Sequence, residues 1–211
     1  MQTLTEIEIQ LKQRISNYPP TPWGKKQTDN WDRQTNFIYK TFEWEHLTHK
    51  IATLETPLAN YAINRWFSFW SAMAVEQIFC ALPNVKIHTN KYDRLVDFTL
   101  HGINFDHKTS VFPQRYPYSF DFAYAHTRHL IRWLYEHQSR QQRHHTANRL
   151  FILLYDAQGE HWKLRAEISG LQQLIETYVA QFEPDKQRNL SIGSETVVSD
   201  ILWLSKQSEK G

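Results

Sequence analysis

Apolar and polar side chains alternate on both sides of His101-Gly102, which is the pattern of two β-strands joined by a tight turn. A two-residue loop that ends in glycine is typical of a hairpin. Centring the turn there pairs Phe98 with Phe105 and Asp97 with Asp106. Since Cβ atoms that face each other across two strands lie only about 5 Å apart, the two carboxylates should repel. The hairpin therefore predicts a cation site, and a divalent ion together with an ammonium group would satisfy it.

Lys108 follows Asp106 by two residues, so we expect Asp97, Asp106 and Lys108 to share one face of the hairpin. His107 lies between Asp106 and Lys108, and we expect it to face away from the acids as a packing or hydrogen-bonding residue. The competing interpretation is an ordinary exposed hairpin. In that case Asp106 and Lys108 form a surface ion pair worth under ~1 kcal/mol.

The rest of the pattern predicts an α/β fold with a mixed central sheet flanked by helices. We expect helices at about 3–16, 57–82, 120–142 and 169–182, and strands at 85–89, 149–155, 161–168 and within 194–204. A length of 211 residues fits a single domain. We divide it into an N-terminal helical or irregular extension (1–56), a core (57–156), and C-terminal strands and a helix that complete the fold (157–211).

The helix predicted at 57–82 supplies a third acidic group. Its polar stripe is formed by Asn60, Asn64, Ser68 and Ser71. Glu76 lies well round the helix from that stripe, among apolar residues. A carboxylate that faces an apolar surface costs free energy unless a partner or a metal binds it. Glu76 is therefore a candidate site residue, and pairing with Arg65 is the alternative.

Composition limits the partners. The formal net charge is only +2, so nucleic-acid binding would depend on a local basic patch. Candidate phosphate contacts are Arg128, Arg132, Arg143 and Arg149. Tyr116 and Tyr118 are candidates for stacking on a base, with ordinary loop packing as the alternative. His126 and His129 have a spacing that can bind zinc, but no third ligand is evident nearby, so a solvent-facing pair is the simpler interpretation.

The chain has one cysteine, Cys80, and no stretch of about 18 uninterrupted apolar residues. The first residues lack the basic and apolar regions of a signal peptide. We therefore expect a cytoplasmic protein in a reducing compartment, without a membrane partner.

The acids, the lysine and the predicted element order resemble the PD-(D/E)XK nuclease superfamily, the restriction-endonuclease-like fold. Its signature is an acid on one strand, then an acid, any residue and a lysine on the next. Here those positions are Asp97 and Asp106-His107-Lys108, and Glu76 matches the acid of the preceding helix. The resemblance covers about residues 58 to 156 and implies an α-β-β-β-α-β core. Val96 stands where the family commonly has proline.

The resemblance implies a role for each of these residues. Asp97 and Asp106 would bind Mg²⁺, with Mn²⁺ as a substitute, and the backbone carbonyl of His107 would complete the inner shell. Glu76 would bind the metal directly or through water. Lys108 would orient the attacking water and stabilise the transition state. Carboxylate oxygens are the ligands that Mg²⁺ prefers, which agrees with this set.

The sequence thus predicts a metal-dependent nuclease that hydrolyses phosphodiester bonds, most simply a DNA endonuclease of the restriction or repair type, and a homodimer would suit cutting of both strands. Two alternatives stay open. One is a non-catalytic module that retains the nuclease fold and binds nucleic acid or protein. The other is a structural subunit whose aromatic-rich ends form an interface.

Overall fold

The structure is a computed structural model that describes residues 2–22, 29–87, 96–137, 147–184 and 189–207. Its helices are α1 (Leu4–Asn17), α2 (Asp29–Gln34), α3 (Trp44–Ile51), α4 (Thr56–Cys80), α5 (Phe120–Ala125), α6 (Thr127–Glu136) and α7 (Ile168–Ala180). Its strands are β1 (Val85–Ile87), β2 (Phe98–Leu100), β3 (Ile103–Val111), β4 (Arg149–Asp156), β5 (Asn189–Ile192) and β6 (Glu195–Lys206). Short 3₁₀ helices cover Asn36–Tyr39 and His161–Ala166.

The strands form one mixed sheet in the order β1-β2-β3-β4-β6-β5. Pairing is antiparallel from β1 to β3, parallel from β3 through β4 to β6, and antiparallel between β6 and β5. The prediction of an α/β fold with a mixed sheet and flanking helices is therefore confirmed. Helices α5 and α6 lie in the crossover between the parallel strands β3 and β4, as such a connection requires.

The β2–β3 hairpin has the predicted register. Phe98 pairs with Phe105 and Leu100 with Ile103, so His101 and Gly102 form the loop. Both loop residues have positive φ, 47° and 84°. Positive φ at both positions is the signature of a type I′ turn, whose twist matches that of the strands.

The buried run in β4 forms the centre of the sheet. Leu150 to Leu154 are all buried, and β3 and β6 pair with the two edges of the strand. On one face, Phe151 and Leu153 join a core cluster with Leu130 and Ile131 of α6. A continuous apolar run without alternation is typical of a parallel strand that is covered on both faces.

Two predicted elements differ. The expected strand at 161–168 is a 3₁₀ helix over His161–Ala166. Two hydrogen bonds stabilise the turn at the start of this 3₁₀ helix: the Asp156 amide donates to the His161 ring, and the Lys163 amide donates to the Glu160 carbonyl. The position beside β4 is taken by β6. The helix expected at 120–142 breaks at His126, and its last predicted residues, like 88–89 of the first strand, lie outside the described residues.

The chain separates into two compact units. The first comprises Met1–Gln77 with Arg165–Ser169, and its core contains the buried aromatic residues Tyr61 and Trp66. The second comprises Ile78–Leu164 with Gly170–Gly211 and holds the sheet. None of the helices in the described part of the chain is long and apolar enough to cross a bilayer.

Candidate active site

Two carboxyl groups meet at the open end of the β2–β3 hairpin. The Asp97 amide donates to the carbonyl of Phe105 at 2.8 Å, which extends the pairing one residue beyond β2. Asp97 thereby comes next to Asp106 of β3, and each carboxyl perturbs the ionisation of the other. The predicted juxtaposition of these two acids is present in the structure.

His107 fixes the orientation of Asp97. Its backbone amide and its ring Nδ1 both contact the Asp97 Oδ2 atom, each at 2.8 Å. The ring also lies near the rings of Phe79 and Phe98, with centroid distances of 5.9 Å and 6.2 Å. His107 is the packing and hydrogen-bonding residue expected, but the expectation that it faces away from both acids is wrong. Asp97 precedes the strand, so strict alternation of sides does not apply to it.

Arg149, the first residue of β4, neutralises Asp106. Its Nε donates to Asp106 Oδ2 at 2.5 Å, and its Nη2 forms an ion pair with the same oxygen. The parallel register places these residues directly opposite each other. Both side chains are largely buried, at 9% and 19% exposed. Sequence reasoning missed this pairing; the available signal was a charged residue at the start of an apolar strand.

The pKa values of the two acids move in opposite directions. Burial pushes the pKa of Asp97 upward, but hydrogen bonds from His107 outweigh it and the pKa lies below its usual value. Burial raises the pKa of Asp106, Arg149 opposes that rise, and the Asp97 charge adds to it, so the pKa lies above its usual value. The pair thus has one carboxyl that ionises readily and one that holds its proton more tightly.

Lys108 lies near Asp106, on the same face of β3. Its side chain keeps contact with solvent, yet surrounding protein atoms displace enough water to lower its pKa. The Arg149 charge lowers that pKa further, while Asp106 opposes the shift. Lys108 also lines a cavity of about 300 Å³ together with Ser110 and Phe151. A cation with a lowered pKa near the Asp106 carboxyl is the combination expected at sites of charge stabilisation or proton transfer.

Glu76 differs from its predicted setting. It is exposed near the end of α4, so it does not face the apolar surface that made it a candidate. The alternative partner, Arg65, instead donates hydrogen bonds to Thr35, Asn36, Tyr39 and the backbone of Asp32. Within the ranges that the structure describes, no three His, Cys, Asp or Glu side chains are grouped closely enough to hold a metal ion. Of the three predicted acids, Asp97 and Asp106 come together in the structure.

The residues predicted to contact nucleic acid differ in their exposure to solvent. Arg128, Arg132 and Tyr118 are exposed, although Arg128 donates to the Asn189 carbonyl at 3.0 Å. Tyr116 is only 6% exposed and belongs to the core cluster, which is the loop-packing alternative. Arg149 is directed at Asp106 rather than at solvent. Arg143 lies outside the described residues.

His126 and His129 are both exposed on the α5–α6 segment. The Nδ1 of His126 contacts the Phe122 carbonyl at 3.0 Å, and the Nδ1 of His129 contacts the Tyr116 hydroxyl at 2.9 Å. Each ring therefore has a local partner within the protein.

Comparisons with protein-family models, with curated proteins and with solved structures each found no match to this chain.

Proposed function

We propose that this protein is a metal-dependent nuclease that hydrolyses phosphodiester bonds, with DNA as the leading substrate. The observation that carries the proposal is the meeting of Asp97 and Asp106 with Lys108 on the face of Asp106. The order α4, β1, β2, β3, α5–α6, β4 supports it further, because it follows the α-β-β-β-α-β core of the superfamily that the sequence resembles.

The donor set fits a hard divalent cation. Asp97 and Asp106 would hold a Mg²⁺ or Mn²⁺ ion, because carboxylate oxygens are the ligands that these ions prefer, while His107 and Arg149 hold the two carboxyls in place. Such an ion supplies a bound water with a lowered pKa and neutralises charge on the phosphate. The Asp97 charge repels the Asp106 carboxylate and so raises the pKa of Asp106, and a bound cation would relieve that repulsion.

The other side chains of the site position these groups and balance their charge. Two hydrogen bonds from His107 to a single oxygen hold the Asp97 carboxyl in one orientation. Arg149 restrains Asp106 in the same way. Lys108 would stabilise the negative charge that develops on the phosphate, and its lowered pKa favours proton donation to the leaving oxygen.

The test is cleavage of plasmid and of labelled oligonucleotides by the full chain with Mg²⁺ or Mn²⁺. We expect Asp106→Ala and Lys108→Ala each to lower the rate at least about 100-fold, because each removes transition-state stabilisation. Glu195→Ala and Lys206→Ala, which change exposed residues of β6, serve as matched controls and should stay within about twofold. Unchanged cleavage in both site variants, with circular dichroism showing them folded, would refute the proposal.

The Arg149–Asp106 ion pair favours a second candidate, a non-catalytic binding module that retains the fold. In such a module the guanidinium neutralises the acids in place of a metal. Calorimetric titration of the full chain with Mn²⁺ separates the two. Nucleic-acid binding without Mn²⁺ binding would support the module, whereas Mn²⁺ binding that is lost in Asp97→Asn would support the nuclease.

A further inference from the structure

A line of ring side chains follows the surface of the α5–α6 segment. We call it the ring stripe; its members are Tyr118, Phe122, His126, His129, Trp133 and His137. From residue 126 onward they recur every three or four positions, so they lie on one side of the helix. The three histidines are exposed, Tyr118 is 45% exposed, and the other two rings are partly buried.

Several rings of the stripe stack face to face, whereas His129 meets Tyr118 and Phe122 edge to face. Phe122 stacks on Tyr118 with centroids 4.4 Å apart, and His126 stacks on Phe122 at 4.1 Å. His137 stacks on Trp133 at 4.2 Å, with an interplanar angle of 13°. The surface therefore presents ordered flat rings rather than scattered aromatic side chains.

Hydrogen bonds fix the orientation of the imidazoles. His126 Nδ1 donates to the Phe122 carbonyl at 3.0 Å, and His137 Nδ1 donates to the Trp133 carbonyl at 2.8 Å. Rings that are already held in place lose less conformational entropy when a ligand stacks on them. This arrangement suits a ligand with flat π-faces.

The ring stripe ends at the cavity beside Lys108. Trp133 and His137 line that cavity, as do Arg115 and Gln114. The described residues around it contribute two full cations and no carboxylate. Its charge and hydrogen-bonding groups therefore suit a phosphate together with a polar base.

We propose that the ring stripe binds an unpaired polynucleotide strand and leads it into the cavity at Lys108. This inference rests on the proposed nuclease function and names the substrate class: single-stranded segments rather than intact duplex. Bases within a duplex have their faces covered by neighbouring pairs, whereas unpaired bases stack on exposed aromatic rings. From His126 to His137 the stripe extends about 16 Å, which is long enough for a few nucleotides.

The test is fluorescence anisotropy with labelled oligonucleotides in EDTA, which keeps binding separate from cleavage. We expect oligo-dT of twelve residues to bind at least about tenfold more tightly than a blunt hairpin duplex of equal length. The triple variant Tyr118→Ala/His126→Ala/His137→Ala should lose at least about tenfold in affinity for oligo-dT. An oligo-rU arm identifies the sugar, and tight binding of either unpaired strand supports the inference.

Two controls match the altered residues. Tyr124→Ala removes another exposed tyrosine of α5, and His49→Ala removes an exposed imidazole whose Nδ1 also contacts a carbonyl four residues earlier. Both should bind within about twofold of the unchanged protein. Preference for duplex, or full affinity in the triple variant, overturns the inference. Failure of the nuclease proposal appears separately, as absent cleavage with metal in a protein that still binds single strands.

Discussion

Each of the two units contains a side-chain cluster centred on an arginine, and the two clusters differ in how their charges are balanced. In the first unit, Arg65 donates to the Asp32 carbonyl at 2.8 Å, to Thr35 at 2.5 Å and to the Tyr39 hydroxyl at 2.6 Å. The Asp32 carboxyl lies 3.6 Å from Arg65 Nε and accepts a hydrogen bond from Tyr61. One carboxylate is thus matched by one guanidinium and by neutral donors.

In the second unit, Arg149 pairs with Asp106, which lies next to a second carboxyl, Asp97, and near a second cation, Lys108. The pKa values of all three neighbours are shifted there, two downward and that of Asp106 upward. The first cluster joins a helix to the segment before it, as a structural network does. The second retains like charges in proximity, and groups with perturbed pKa values are concentrated at functional sites. The partners of an arginine, rather than its burial, thus indicate its role.

The largest expected effect compares the two clusters through their carboxylates. Asp97→Asn should lower metal-dependent cleavage about 1,000-fold, or ~4 kcal/mol, because it removes a proposed metal ligand. Asp32→Asn should leave the rate per folded molecule within about twofold. Rates are measured on oligonucleotides and normalised by circular dichroism. Equal losses in both variants would remove the functional distinction between the clusters.

The arginines themselves should differ in stability. Arg65→Met should lower the free energy of unfolding by about 3 kcal/mol, because several partners lose a charged donor. Arg149→Met should cost about 2 kcal/mol, and added Mn²⁺ should recover part of it by neutralising Asp106 in place of the guanidinium. Urea denaturation with and without Mn²⁺ checks this. Recovery by Mn²⁺ in Arg65→Met as well would show a non-specific ion effect.

A pair of turn glycines tests whether the second cluster depends on its hairpin. Gly102 has φ 84° and Gly193, in the β5–β6 hairpin, has φ 59°; an added Cβ at either would meet no atom within 4 Å. Gly102→Ala and Gly193→Ala should each cost about 1 kcal/mol through backbone strain alone. Thermal unfolding measures the cost. Only Gly102→Ala should also slow cleavage, so a similar slowing in Gly193→Ala would contradict the dependence.

The smallest effect is on ionisation. Asp97→Asn should move the pKa of Asp106 downward, because one of the causes that raise it is the Asp97 charge. Carbon-detected NMR titration of the Asp106 carboxyl measures this, and Asp32→Asn is the control. An unmoved pKa would mean that the two acids do not interact.

The same shifts fix the sign of the pH dependence of stability. Asp106 holds its proton more tightly in the folded state, so its contribution is present below the ordinary carboxyl pKa and is lost as pH rises through its raised pKa. Asp97 has the opposite sign, with a contribution present above its ordinary pKa and lost as pH falls. Asp97→Asn should therefore weaken the acid-side loss.

The sequence was sufficient for local features and insufficient for long-range ones. The register of the β2–β3 hairpin could be predicted because a two-residue turn fixes the pairing of the strands beside it. The contact between Asp106 and Arg149 could not, since the register of parallel strands depends on the packing of the crossover between them. The prediction that Glu76 faces an apolar surface was also wrong. Most residues of α4 are apolar, so the position of its polar stripe does not determine which of the remaining residues are exposed to solvent.

The parallel pairing of β3 with β4 has a consequence for the order of folding. The hairpin closes within a few residues, whereas Arg149 lies 43 positions from Asp106 along the chain. Contacts between distant positions form late, since a long loop must close first. The acidic hairpin therefore forms before Arg149 reaches Asp106, and dissolved salt should accelerate refolding by screening the two carboxylates in that interval.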